Sequence, residues 1–120
     1  MRDPEGAESI RSAGETPSLD LVFEVLSDRR RRYALYHLRE SPESVATVSD
    51  VVGYICNQEA ESDESRTYLR RSIRTTIQHV HLPKLADAGV IEYDARSETI
   101  RYRGQPSLDE WLEHAYYTEL

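Results

Sequence analysis

One stretch of the sequence concentrates positive charge in a chain that is otherwise acidic. Between Ser65 and Ala86 there is no Asp or Glu, and four arginines and a lysine give the stretch a charge of +5. The whole chain carries a formal net charge of −7. Side chains of this type at helical spacing are suited to binding a polyanion, and DNA is the first candidate because an α-helix fits the major groove.

The spacing assigns separate roles to these side chains. Arg can bind the edge of guanine and Gln the edge of adenine, whereas the remaining basic side chains are suited to contact phosphates. Four residues are predicted to contact base edges: Arg74, Thr75, Gln78 and His79. Four are predicted to contact phosphates: Arg66, Arg70, Arg71 and Lys84. Three arginines further along the chain would meet the neighbouring minor groove or backbone: Arg96, Arg101 and Arg103. In the alternative, the basic side chains pair with acids of a partner subunit or of the connector, namely Glu59, Glu61, Asp63 and Glu64.

Metal binding and catalysis find no support in the pattern. His79 and His81 are two residues apart, roughly 200° around a helix, and so would not share one ion. His37, His114 and Cys56 are scattered. There is no Gly-rich phosphate loop and no Ser-His-Asp pattern. We therefore predict no enzyme activity, no cofactor, no metal and no small-molecule ligand.

The composition limits the class of protein and its surroundings. A chain of 120 residues is one domain, and fourteen arginines against one lysine, with 22 acidic residues, are typical of proteins from salt-loving archaea. The single cysteine excludes an internal disulfide. No apolar run approaches the roughly 20 residues that span a bilayer, and the N-terminus does not resemble a signal peptide. These features predict a cytoplasmic protein without a membrane partner.

Apolar stripes and capping residues predict three helices before the basic stretch, near residues 18–27, 29–40 and 48–59, after a disordered tail over 1–17. Ser18, Asp28 and Thr47 are the expected caps. The first stripe is Leu19, Val22, Phe23 and Leu26. The arginines at 29–32 are interpreted as a solvated first turn, with phosphate contact as the alternative. No strand is predicted between residues 29 and 60.

The basic stretch itself predicts a helix over 66–88 that ends at Gly89. Its apolar stripe is Leu69, Ile73, Ile77 and Val80, and Pro83 predicts a kink or a break. A hairpin follows over 90–103, with Ile91 and Tyr93 facing Ile100 and Tyr102. The last helix, near 107–117, is expected to start at Ser107 with a capping box to Glu110.

The apolar side of the last helix predicts dimerisation. Trp111, Leu112, Ala115 and Tyr116 share one side of that helix, which follows the hairpin and is not needed to complete a three-helix core. A homodimer would present two basic helices to successive major grooves. In the alternative, this helix folds back onto its own subunit.

Two resemblances agree with this order of elements. The segment HLPKLADAGVI resembles the end of the recognition helix and the entry to the wing in small dimeric ArsR-like repressors. The segments LSDRRRRYALYHL, HVHLPKLADAGVIEYD and IRYRG resemble an uncharacterised winged helix-turn-helix family of halophilic archaea, over about 85 of the 120 residues. The resemblance implies a mainly α fold with a small β-hairpin, a winged helix domain over 18–104 and an added C-terminal helix over 105–120.

The function expected from residues and resemblance together is that of a sequence-specific transcriptional regulator that binds double-stranded DNA. The helix at 66–88 would enter the major groove and the hairpin would contact the adjacent backbone. The alternative is a protein–protein interaction module that keeps the fold without binding DNA, which the net charge of −7 favours.

Overall fold

The computed structural model describes residues 18–62 and 65–120. The predicted tail at 1–17, and the connector residues Asp63 and Glu64, lie outside the described residues. The described chain is mainly helical, with a small three-stranded antiparallel sheet. The elements are α1 Leu19–Leu26, α2 Arg29–Glu40, β1 Val45–Thr47, α3 Val48–Glu59, α4 Arg66–Thr76, a π-helical segment Ile77–His81, α5 Leu82–Asp87, β2 Ile91–Asp94, β3 Thr99–Tyr102 and α6 Pro106–Glu119.

The predicted caps hold at three helix starts and fail at the fourth. Ser18 and Thr47 each accept one backbone N–H, and Asp28 accepts two, which satisfies donors that the first turn leaves free. The expected capping box of Ser107 and Glu110 is wrong, because α6 begins at Pro106 and its N-cap, Gln105, makes no side-chain cap. Proline at the first position of a helix has no N–H to satisfy.

The hairpin has the predicted register, and a third strand joins it. Ile91 lies opposite Tyr102, and Tyr93 opposite Ile100. The prediction that no strand occurs within residues 29–60 is wrong, because β1 pairs with β3 and makes β3 the central strand. Three residues are too short to show an alternating pattern. These residues form a strand because β3 supplies the backbone partners for it.

The basic helix passes Pro83 without breaking. The segment Ile77–His81 is π-helical, and the N–H of Leu82 donates to the carbonyl of Ile77, five residues back. The predicted stripe fails at this point, since Val80 is 48% exposed whereas His81 is buried. Four buried positions, Ile73, Ile77, His81 and Leu85, each lie four residues after the last, and Leu82 is buried beside them. A spacing of four drifts around an α-helix, and the wider π turn brings it back to one side.

The core forms where α3 packs on α2 and α4, and where α2 packs on the π-helical segment and the sheet; both terminal helices complete it. On α1 the buried residues are Val22 and Val25, so the predicted stripe is wrong for Leu19 and Phe23, which are 57% and 44% exposed. On α6, Leu108 and Leu112 are completely buried in their own chain. Leu112 is therefore unavailable to a second subunit, contrary to its predicted role in dimerisation.

Hydrogen bonds and an ion pair also hold α6 against α2 and β3. Both carboxylate oxygens of Glu119 accept from Arg32, at 2.9 and 2.8 Å, and one also accepts from the Tyr36 hydroxyl at 2.8 Å. Arg32 holds the pKa of Glu119 below its usual value. The Tyr102 hydroxyl donates to Asp109 at the start of α6. The helix thus folds back onto its own subunit, which is the arrangement expected under the alternative to dimerisation.

Candidate nucleic-acid interface

The outward face of α4 is basic and open. Leu69 and Ile73 turn inward towards α3, because the helix is strongly amphipathic, and Ile73 is completely buried. The opposite side exposes Arg71 and Thr75. Within the part of the chain that the structure describes, the Arg71 guanidinium forms no ion pair, while the Thr75 hydroxyl donates to the Arg71 carbonyl at 3.1 Å. This face therefore offers a charged donor to an incoming anion.

Arg70 and Arg74 lean from α4 across the beginning of α3. Arg70 donates to the carbonyl of Ser49 at 3.3 Å, and Arg74 donates to the Ser49 hydroxyl at 2.6 Å. Gly53 makes room for this arrangement, since a Cβ at that position would lie 3.2 Å from Nη1 of Arg70. Ser49 is a residue that sequence reasoning missed. The only sequence feature that points to Ser49 is its place in the first turn of α3, near the predicted cap.

The hairpin brings acids next to several of the predicted contacts. Glu98 lies beside Arg74, with Oε1 3.8 Å from Nη1, and accepts from the amide of Gln78 at 3.3 Å. Glu92 pairs with Arg101 at 3.9 Å and with Arg103 at 2.5 Å. Arg96 is exposed at the tip of the hairpin. The interface is thus basic on α4 and mixed in charge where the hairpin meets it.

Of the remaining residues that are predicted to contact DNA, one has an exposed side chain and two donate hydrogen bonds to other helices of the fold. His79 is exposed on the π-helical segment. Lys84 donates to Glu24 of α1 at 2.8 Å, which lowers the pKa of Glu24. Arg66 donates to Asn57 of α3 at 2.7 Å. Phosphate contact by Lys84 and Arg66 remains a prediction, and both side chains already have partners inside the fold.

Three of the four arginines at 29–32 are bound within the fold, whereas Arg29 is exposed as the solvated interpretation predicts. Arg31 is only 6% exposed and donates to the carbonyls of Val25 and Glu24, at 3.0 and 2.8 Å. Arg30 donates to both oxygens of Glu59 at 2.9 Å, which raises the pKa of Arg30. The last carbonyls of α1 lack partners within that helix, so the arginines of the next helix supply the donors.

His81 connects this arginine run to the basic helix. Its Nδ1 lies 3.3 Å from Nη1 of Arg31 and therefore accepts, which leaves the ring proton on Nε2, 3.6 Å from Oδ1 of Asp28. Burial lowers the pKa of His81; Asp28 opposes this shift and Arg31 adds to it. The imidazole is therefore a neutral structural group inside the fold.

We expect His81 to make the domain less stable in mild acid. The unfolded chain takes up a proton near pH 6.5, whereas the folded imidazole resists protonation. The stabilisation is therefore fully present above about pH 6.5 and is lost as the pH falls below it. Urea unfolding at pH 7.5, 6.5 and 5.5 should show a smaller fall for His81→Gln than for the parent protein. His79→Gln, at an exposed histidine, should keep the parent dependence; equal slopes for all three proteins would contradict the assignment.

Two other kinds of site find no support in the described part of the chain. Across residues 18–62 and 65–120, no group of three His, Cys, Asp or Glu side chains is placed to hold a metal ion. None of the helices described there has the length and apolar character needed to cross a membrane.

Comparison with known proteins identifies the family without supplying a function. The curated proteins and the solved structures contain no match to the chain. Residues 23–101, about two thirds of the chain, match a family described as a domain of unknown function, DUF7344. The match runs from α1 to β3 and so includes the basic helix and the hairpin. The similarity to ArsR-like repressors stays a hypothesis, and the chain belongs to the DUF7344 family.

Proposed function

We propose that this protein is a winged helix-turn-helix regulator that binds double-stranded DNA through α4 and the β2–β3 hairpin. The observation that carries the proposal is the outward face of α4, where Arg71 and Thr75 are open and Arg70 and Arg74 lie at the edge. An isolated positive face on an acidic chain attracts a polyanion in preference to a typical protein surface. The order of helices around a small three-stranded sheet is compatible with the winged fold.

The contacts within the fold divide the arginines into two types. Arg74 is oriented by Ser49 on one side and Glu98 on the other, and a fixed guanidinium fork suits bidentate pairing with guanine. Arg71 is exposed, and an unconstrained cation suits a phosphate, whose position carries no sequence information. Thr75, Gln78 and His79 would complete the base contacts.

Substitution of the two arginines is expected to give different binding defects. Arg74→Ala should cost about 1–3 kcal/mol on the preferred site and relax sequence preference, whereas Arg71→Ala should weaken binding to all sequences and reduce the salt slope by about 1. Preferred sites are found by capturing genomic DNA with the full protein in molar KCl and sequencing it. Fluorescence anisotropy then gives the affinities of the variants.

Arg29→Ala is the matched control, because Arg29 is an exposed arginine on α2 and lies outside the proposed interface. It should bind like the parent protein. If Arg71→Ala and Arg74→Ala both bind every DNA as the parent does, α4 is not the recognition helix.

We further propose that the regulator is a homodimer. The exposed apolar surface of α1 and α6 includes Leu19, Phe23 and Trp111, and the Phe23 and Trp111 rings meet edge to face at 5.2 Å between centroids. Ala115 and Tyr116 are half-buried against the core. The dimer contact therefore centres on Trp111 with Phe23, with Ala115 and Tyr116 at its edge. Pairing two DNA-binding faces also adds phosphate contacts.

Light scattering in molar KCl is expected to show a dimer for the full chain and a monomer for Trp111→Glu, because a carboxylate cannot be buried unpaired in an apolar contact. Tyr68→Glu is the control, since Tyr68 is 77% exposed on α4 and lies outside the proposed contact. It should remain dimeric. A parent protein that scatters only as the 13.9 kDa chain across micromolar concentrations contradicts the dimer.

The second candidate function is a protein-interaction module. Its support is the net charge of −7 together with Glu92 and Glu98, which already neutralise arginines that DNA would need. The same capture experiment separates the two functions, because such a module retains no DNA at any salt concentration.

A further inference from the structure

Glu98 has a backbone conformation that its residue type does not favour. It is the last residue of the hairpin loop, immediately before β3, with φ of +56°. This is the left-handed region, which glycine enters without cost and other residues enter against steric resistance. A glutamate at this position is therefore a feature that the turn alone does not explain.

Three contacts join Glu98 to the other elements of the proposed interface. Its carbonyl accepts the N–H of Val48, the first residue of α3, at 2.9 Å. Its carboxylate lies 3.8 Å from the guanidinium of Arg74 and accepts from Gln78 at 3.3 Å. One side chain of the hairpin thus holds two residues of the basic helix that are predicted to read bases.

The fold does not need this side chain. The contact to α3 is made by the main-chain carbonyl, which any residue supplies. The pair with Arg74 is open to water, since the two side chains are 33% and 46% exposed, and exposed pairs stabilise proteins little. A glycine would keep the carbonyl contact and relieve the left-handed conformation, so the carboxylate is explained by its effect on Arg74 and Gln78.

We infer that Glu98 determines sequence discrimination at the proposed interface, by making Arg74 a poor partner for phosphate while leaving it able to bind a neutral base edge. This inference rests on the proposed DNA-binding function. A phosphate that approaches Arg74 must displace one anion and remain close to it, so like charges oppose each other. Guanine O6 and N7 are neutral acceptors and avoid this repulsion. The carboxylate therefore penalises the wrong contact more than the right one.

Replacement of the carboxylate by an amide tests this mechanism. Glu98→Gln keeps the size of the side chain and its ability to accept from Gln78, but removes the charge. Binding to random-sequence DNA should tighten roughly threefold to tenfold. The plot of log K against log[KCl] should steepen by about 0.9, which corresponds to one additional phosphate contact. The ratio of specific to random binding should fall accordingly.

Two further variants make the result specific to this position. Glu92→Gln removes a carboxylate that pairs with Arg101 and Arg103 within the hairpin, and it should leave the specificity ratio unchanged. Glu98→Gly should reproduce the DNA phenotype of Glu98→Gln without lowering the melting temperature. This variant keeps the test valid if the amide variant folds poorly.

The outcomes distinguish a failure of this inference from a failure of the proposed DNA-binding function. If the parent protein binds DNA and both Glu98 variants keep its salt slope and specificity ratio, the inference is overturned and the DNA-binding proposal stands. If the parent protein and every variant retain no DNA at any KCl concentration, the proposed function is overturned and the inference with it. Binding by a Glu98 variant where the parent binds none would also overturn the inference, because Glu98 would then block DNA altogether and not discriminate between sequences.

Discussion

Truncation after Gly104 is expected to unfold the domain rather than release a stable monomer. Leu108 and Leu112 of α6 are completely buried, and removing a buried leucine side chain costs about 2–5 kcal/mol. The truncation also deprives the hydroxyls of Tyr36 and Tyr102 of their acceptors, Glu119 and Asp109. The combined loss is comparable with the whole stability of a small domain, about 5–15 kcal/mol.

Leu112→Ala tests the same contact without shortening the chain. Urea unfolding followed by circular dichroism should show a loss of about 2–5 kcal/mol. Glu113→Ala, at the next and exposed position of α6, should change the free energy of unfolding by less than about 0.5 kcal/mol. A truncated protein with a native spectrum and a cooperative transition would show that α6 is dispensable for folding and acts only between subunits.

Arg31→Met is expected to destabilise the protein, because each buried acceptor that loses its donor costs about 1–3 kcal/mol. The guanidinium satisfies the carbonyls of Glu24 and Val25 and contacts His81. Methionine fills a similar volume but donates no hydrogen bond, so these buried acceptors lose their partner. Arg31→Lys should recover only part of the loss, because an ammonium group lacks the planar fork that reaches several acceptors at once.

Arg29→Met is the matched control for this prediction. Arg29 lies in the same helical turn and is exposed, and surface substitutions usually change stability by less than about 0.5 kcal/mol. The free energies of unfolding in urea give the comparison directly. Equal stability for the Arg29 and Arg31 variants would contradict the structural role of the buried guanidinium.

The features that could be predicted from the sequence depend on residues close together in the chain. A cap such as Ser18 or Thr47 needs only the N–H groups of the turn that follows it. The hairpin register follows from the alternation of Ile91 and Tyr93. The basic character of α4 also needs no partner, because five cations without an acid between them are visible in the sequence itself.

The features that could not be predicted depend on distant partners. β1 is a strand only because β3 lies beside it, and no local propensity indicates that pairing. Four arginines in succession predict a solvated first turn, yet the carbonyls at the end of α1 make the burial of Arg31 favourable. The position of Glu98 beside Arg74 of α4 and Gln78 of the π-helical segment likewise depends on how the hairpin folds back.

The π-helical segment has a consequence for how this chain tolerates changes in length. A π turn accommodates one residue more than an α turn, so Ile77–His81 behaves as an α-helix with a single inserted residue. Loss of exposed Val80 would let this turn close with regular α-helical hydrogen bonds, while Leu82 and Leu85 keep nearly the same orientation relative to Ile73. Both leucines would stay in the core. A one-residue deletion, which would rotate every following side chain by about 100° in a regular α-helix, is therefore tolerated at this position.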